Sequence, residues 1–121
     1  MEILSYRDLQ VWRRAMDLAV GCYELTKRFP RSETYGLISQ LQRAAVSVPS
    51  NIAEGRARQH SGEFLQHISI AYGSLAEVET LTQIAARLKY ISDQQAEEVL
   101  GKTAEIGRML NGLRNSIKEK A

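Results

Sequence analysis

Cysteine is all but missing from this chain: Cys22 stands alone, which rules out an internal disulfide framework and any multi-cysteine zinc site. Its neighbours Leu18, Ala19 and Leu25 predict a buried structural thiol. Proline occurs only at Pro30 and Pro49, and no stretch alternates apolar and polar residues for a useful length, which argues against a β architecture. No apolar run approaches a membrane span, and the opening Met-Glu-Ile-Leu-Ser-Tyr-Arg-Asp has no apolar core of signal-peptide length, so a cytoplasmic protein with no membrane partner is expected. Histidine is scarce too. A di-iron bundle takes Glu-x-x-His on each of two helices, whereas His60 and His67 supply a single Glu-x-x-x-His, Glu63 to His67; Glu54 could lie near it, but no metal and no cofactor are expected. A formal charge of +2 is too small by itself to call for nucleic acid, so its distribution matters more.

What is present is helical periodicity. Segments run from about Asp8 to Arg28, Thr34 to Ala57, Gly62 to Leu88 and Asp93 to Ile117. Ser5 or Asp8 is available to start the first, and Phe29-Pro30 stops it. Ser92 and Gln95 form a capping-box pattern before the last, with Ile91 placed as a staple against Ala96. Connections this short predict an all-α fold in one domain over residues 1–121: an antiparallel up-down-up-down four-helix bundle, with Lys118 to Ala121 fraying. Pro49 should kink the second helix without ending it, since the apolar period continues from Val48 to Ile52, and should free carbonyls for Ser or Asn side chains. Gly55 and Gly62 read as helix-end and loop residues, and Gly73 as a point of close helix approach.

The last helix has one seam: Ala96, Val99, Thr103, Ile106, Leu110, Leu113 and Ile117. The first has two. Leu9, Trp12, Met16, Ala19 and Tyr23 form one, and Val11, Ala15, Leu18, Cys22, Leu25 and Phe29 the other, together covering roughly 200° where a bundle member needs a little over 100°. Contiguous surplus apolar surface suggests a subunit interface, assigned here to Val11, Ala15, Leu18, Cys22 and Leu25, so the chain should be a homo-oligomer.

The second helix pairs an apolar face (Leu37, Leu41, Ala45, Val48, Ile52) with a stripe of Gln40, Arg43, Ser47, Asn51, Glu54 and Arg58. Short hydrogen-bonding groups in such a line suit a polar seam within or between bundles. On the third helix, His67, Ile70, Ser74, Glu77, Leu81, Ile84 and Leu88 line up at heptad spacing. If the two helices are antiparallel, Ser47 comes level with Ser74, and ion pairs Arg43–Glu77 and Glu54–His67 are expected. The same topology gathers Arg7, Arg13, Arg14, Arg56, Arg58, Arg114, Lys118 and Lys120 at one pole, against Glu2, Asp8, Asp17, Glu54, Glu63 and Glu119. A cyclic oligomer would repeat that pole into a ring and offer a salt-sensitive surface to structured RNA or DNA.

The segments Tyr6-Arg-Asp-Leu-Gln-Val-Trp12, Phe29-Pro30 with Glu33, Tyr35-Gly-Leu37, Gln40 through Gly55, Glu63-Phe64 and Ile70-Ala-Tyr-Gly-Ser-Leu-Ala-Glu77 together resemble the four-helix-bundle family named for the 23S rRNA intervening-sequence proteins. The likeness spans nearly the whole chain in order, and Ser-Val-Pro-Ser-Asn-Ile-Ala-Glu-Gly is its most specific part. The resemblance implies a bacterial bundle forming a ring-shaped homopentamer. It also implies kinship with accessory proteins of diversity-generating retroelements, whose basic pentamers contact a reverse transcriptase and nucleic acid; this chain is less basic than those. The expected function is thus a non-enzymatic oligomeric scaffold with a nucleic-acid-binding pole. A protein-interaction module without nucleic acid is the alternative. A small ribonuclease is the remote one, because Arg56-Ala-Arg-Gln-His60 is similar to an Arg/His motif of helical ribonucleases, one residue short in spacing.

Overall fold

The computed structural model describes residues 5–120, and every regular element among them is helical. Four α-helices run in order: α1 (Gln10–Thr26), α2 (Leu37–Ala57), α3 (Ser61–Arg87) and α4 (Asp93–Lys120), with 3-10 turns at Tyr6–Asp8 and Arg31–Glu33. Each helix packs on the next and α4 returns to α1, and all four helices contribute to one shared core. Partners run in opposite order along α2 and α3: Ser47 meets Ser74 where Asn51 meets His67.

The helix ends follow from local chemistry. Ser5 and Asp8 act together: the Ser5 hydroxyl accepts the Arg7 N–H at 3.1 Å, and Asp8 accepts the Ser5 N–H at 3.2 Å, a capping box on the first 3-10 turn. The expected box before α4 is present, with Gln95 N–H on Ser92 Oγ at 3.1 Å and Ser92 N–H on Gln95 Oε1 at 2.9 Å. Lys89, at φ 66°, ends α3 in a Schellman motif: Tyr90 N–H bonds Ala85 O, and Lys89 N–H bonds Ala86 O. At the same end Glu33 clasps two loops. Its Oε1 accepts the Leu37 N–H at 3.0 Å and its Oε2 the Tyr90 hydroxyl at 2.9 Å. Those donors, Leu37 first, hold the Glu33 carboxyl below the usual range. α4 continues to Lys120 where fraying was expected; Ala121 lies outside the described residues.

α2 runs unbroken through the buried Pro49, and Asn51 Nδ2 donates to the Ser47 carbonyl at 2.8 Å, although the carbonyl that the proline leaves without its helix donor is that of Ala45. The core takes Leu41, Ala45, Val48 and Ile52 from α2, and Ala96, Val99, Thr103, Ile106 and Leu110 from α4, as their periods indicate. α1 differs from expectation, and α3 shows a core face that its heptad line does not mark. On α1 the supposed interface residues Val11, Ala15, Leu18 and Cys22 are 4% exposed or less, with Leu25 half-buried against them. That seam fills the chain's own core, so it is not surface left for another copy. Burial pushes the Cys22 thiol up to about 11, slightly offset by Lys102. On α3 the core line is Ile68, Ala71, Leu75, Val78, Thr82 and Ala85, whereas Ile70, Glu77, Ile84 and Leu88 of the heptad line face outward. Ser74 and Leu81 of that line are buried, so it runs along the edge of the core face.

Candidate interaction surfaces

Between α2 and α3 lies a polar seam smaller than its sequence pattern. Ser74 Oγ donates to Ser47 Oγ at 2.8 Å, the level match expected. Asn51 reaches both ways: Nδ2 donates to Ser47 Oγ at 3.0 Å, and Oδ1 lies 3.0 Å from His67 Nδ1. The ion pairs do not form. Glu54 turns along its own helix to Arg58 at 3.2 Å, so His67 pairs with Asn51 instead. Arg43 and Glu77 are both exposed on a groove of about 430 Å³ shared with Gln40, Ala44, Ser47 and Ser74, and no ion pair joins them. Level positions set height along the helices, not side-chain reach; water serves these two charges better than a fixed pair would.

The seam closes at Gly55. This glycine is buried in the last turn of α2, close to the helix end as expected, and a Cβ there would stand 2.7 Å from His67 Cβ and 3.1 Å from Phe64 Cδ1. Gly73, expected at a close approach, faces open space instead.

A second surface lies on the other side of α1. Trp12, Met16, Ala19 and Tyr23 of the other α1 seam, joined by Val20, which belongs to neither seam, face Val46, Pro49 and Ala53 of α2 across an apolar groove of about 470 Å³, while Leu9 of that seam is buried. Met16, Val20, Tyr23 and Val46 are 40 to 61% exposed. Tyr6 closes one end edge-on to Trp12, ring centroids 5.1 Å apart. The width of the apolar arc signals surplus surface; which half faces inward depends on where α2 and α4 lie, and the α1 period alone cannot say.

The basic pole is partly neutralised. Arg58 lies 3.2 Å from Glu54 and 3.9 Å from Glu63, and Arg14 3.6 Å from Glu105. Arg114 bonds Asn111 and lies 5.8 Å over the Tyr72 ring. Arg7 stacks on Tyr6 at 4.7 Å, and Arg13 Nε donates to the Arg7 carbonyl at 3.0 Å, so these two form one cluster. Arg7, Arg13, Lys118 and Lys120 have no carboxylate within ion-pair distance among the described residues; Glu2, counted among the pole's acids, lies outside them. The α2–α3 turn and the end of α4 do come together: Arg56, His60 and Lys120 border one hollow of about 380 Å³ with Phe64 and Ile117. Among the described residues no three His, Cys, Asp or Glu side chains converge as a metal ion requires, and no helix is long and apolar enough to cross a membrane.

Fold and surfaces define an all-helical protein of four helices around one core. Over residues 7–112 the chain matches the 23S rRNA-intervening sequence protein family, and it belongs to that family. A crystal structure of a protein of unknown function from the S23 ribosomal protein family of Bacteroides thetaiotaomicron has the same fold: TM-score 0.77, 22% identity, covering 86% of this chain and 97% of that one. No curated protein matches in sequence.

Proposed function

We propose that this protein is a non-enzymatic scaffold: an antiparallel up-down-up-down bundle that self-associates through the α1–α2 groove and contacts nucleic acid with its basic end. The groove carries the reading. A folded chain with its core already complete still exposes Val20 at 61%, Tyr23 at 46%, and Met16 and Val46 at 40% each, on one continuous face. Contiguous apolar surface of that kind is typical of a binding face. The family resemblance favours a ring of five, which would set five basic ends side by side and multiply weak phosphate contacts. Light scattering at dilute, physiological conditions should give several times the chain mass of 13.6 kDa. A well-folded species of single-chain mass would overturn the scaffold. Filter binding to structured RNA over a salt series tests the basic end, with affinity expected to fall steeply as salt rises.

The pairing of Arg14 with Glu105, and of Arg58 with Glu54 and Glu63, favours a second reading, a protein-interaction module that binds no nucleic acid. Absence of salt-dependent RNA binding at low ionic strength, with the oligomer intact, would select it.

A further inference from the structure

The hollow at the α2–α3 turn has a composition that a surface merely attracting phosphates does not need. Its rim is cationic and hydrogen-bonding: Arg56 from the last turn of α2, His60 at the N-cap of α3, and Lys120 at the end of α4. Its floor is apolar, made of the half-buried Phe64 and Ile117. Two features hold that floor in place, and a third leaves the rim available. Gln59, at φ 63°, reverses the chain within one residue, so the last turn of α2 and the first turn of α3 stay side by side. Gly55 leaves room for Phe64 to lie tightly on α2: a Cβ there would stand 3.1 Å from Phe64 Cδ1, besides meeting His67 Cβ at 2.7 Å. His60 makes no side-chain capping bond to α3, so capping does not commit its imidazole. The volume of about 380 Å³ suits one small planar group and its charged substituent.

A duplex could bring phosphates to this rim but could not bring a base to Phe64, because paired bases are stacked inside the helix. An unpaired nucleotide satisfies both parts: its base lies on an aromatic and aliphatic floor while its phosphate meets Arg and Lys. We propose that the hollow holds one unpaired nucleotide of a single strand, with the base against Phe64 and Ile117 and the phosphate between Arg56 and Lys120. This rests on the proposed contact of the basic end with nucleic acid, and names the form of nucleic acid that end prefers.

The test compares three fluorescein-labelled 12-mers at one salt concentration: an adenine-rich RNA strand, the same sequence as DNA, and the RNA duplex. The single strands should bind about tenfold more tightly than the duplex, as expected when one base gains an aromatic platform. Phe64→Leu, which keeps the floor apolar, should remove that preference and leave duplex binding unchanged. A preference for the RNA strand over the DNA strand would show the ribose 2′-OH being read; equal binding would show base and phosphate alone being read, and either supports the site. Should Phe64→Leu fail to fold, the native protein still decides. Adenosine monophosphate should shift the Phe64 ring resonances in an NMR titration, while inorganic phosphate leaves them in place. Duplex binding equal to single-strand binding, or ring resonances unmoved by the nucleotide, would overturn this inference and leave the nucleic-acid reading standing. Failure of all three oligonucleotides to bind at any salt would overturn both.

Discussion

Gly55 and Lys89 occupy backbone positions that only one of them is suited to. At Gly55 any Cβ must displace the His67 Cβ atom at 2.7 Å, an atom fixed to the α3 backbone. Gly55→Ala should therefore destabilise the fold by about 1–3 kcal/mol despite the better helix propensity of alanine, as overpacking does. Urea denaturation of the two proteins checks this, and an unchanged midpoint would mean that α2 and α3 are not held that closely. Lys89 has the reverse problem. Its left-handed φ of 66° closes the Schellman motif that ends α3, a conformation costing a residue with a Cβ about 1–2 kcal/mol. Lys89→Gly should raise the urea midpoint by an amount equivalent to roughly 0.5–1 kcal/mol, the relief of strain less the greater freedom of glycine when unfolded.

At the scale of elements, the clasp at Glu33 joins the start of α2 to the loop before α4, and its protonation gives a pH dependence of known sign. The Leu37 N–H and the Tyr90 hydroxyl lower the carboxyl pKa in the folded state. Stabilisation from the clasp is therefore complete above the unfolded glutamate value of about 4.3, and disappears as pH falls through the lower folded value. Glu33→Gln should flatten that part of the acid limb in thermal melts taken from pH 6 downward; a parallel limb in both proteins would rule the clasp out as its source. Neither Glu33 nor Tyr90 was legible as a pair, because they are far apart in sequence and belong to no shared period. α4 was legible, since its single seam leaves one way to face the core. On α1 two apolar seams are both visible, but periodicity does not distinguish a face covered by α2 and α4 from one left open, and the seam assigned to an interface is the covered one. The polar stripe of α2 correctly located the α3 contact through Ser47 and Ser74. It could not reveal that Arg43 and Glu77 remain in solvent, because exposure depends on the angle between helices and not on level.

At the scale of the molecule, the proposed self-association is separable from folding by mutation, because it would draw on a different side of α1 from the one that makes the core. Val11, Ala15, Leu18 and Cys22 make the core, whereas Val20 is 61% exposed and lies in the groove with Met16, Tyr23 and Val46. A charge introduced at Val20 enters water in the single chain, so Val20→Glu should change its stability by no more than about 0.5 kcal/mol. In an assembly that covers the groove, the same carboxylate would be buried without a partner, which low-dielectric surroundings penalise by several kcal/mol. Val20→Glu should therefore shift light-scattering mass toward 13.6 kDa at concentrations where the native protein is assembled, with helical circular dichroism unchanged. Val11→Glu provides the contrast, because a charge at a position 4% exposed must disrupt the core itself and should abolish folding along with assembly. If Val20→Glu keeps the native mass, the groove is not where copies meet, and another outward face, such as the Ile70 and Ile84 side of α3, must hold them together.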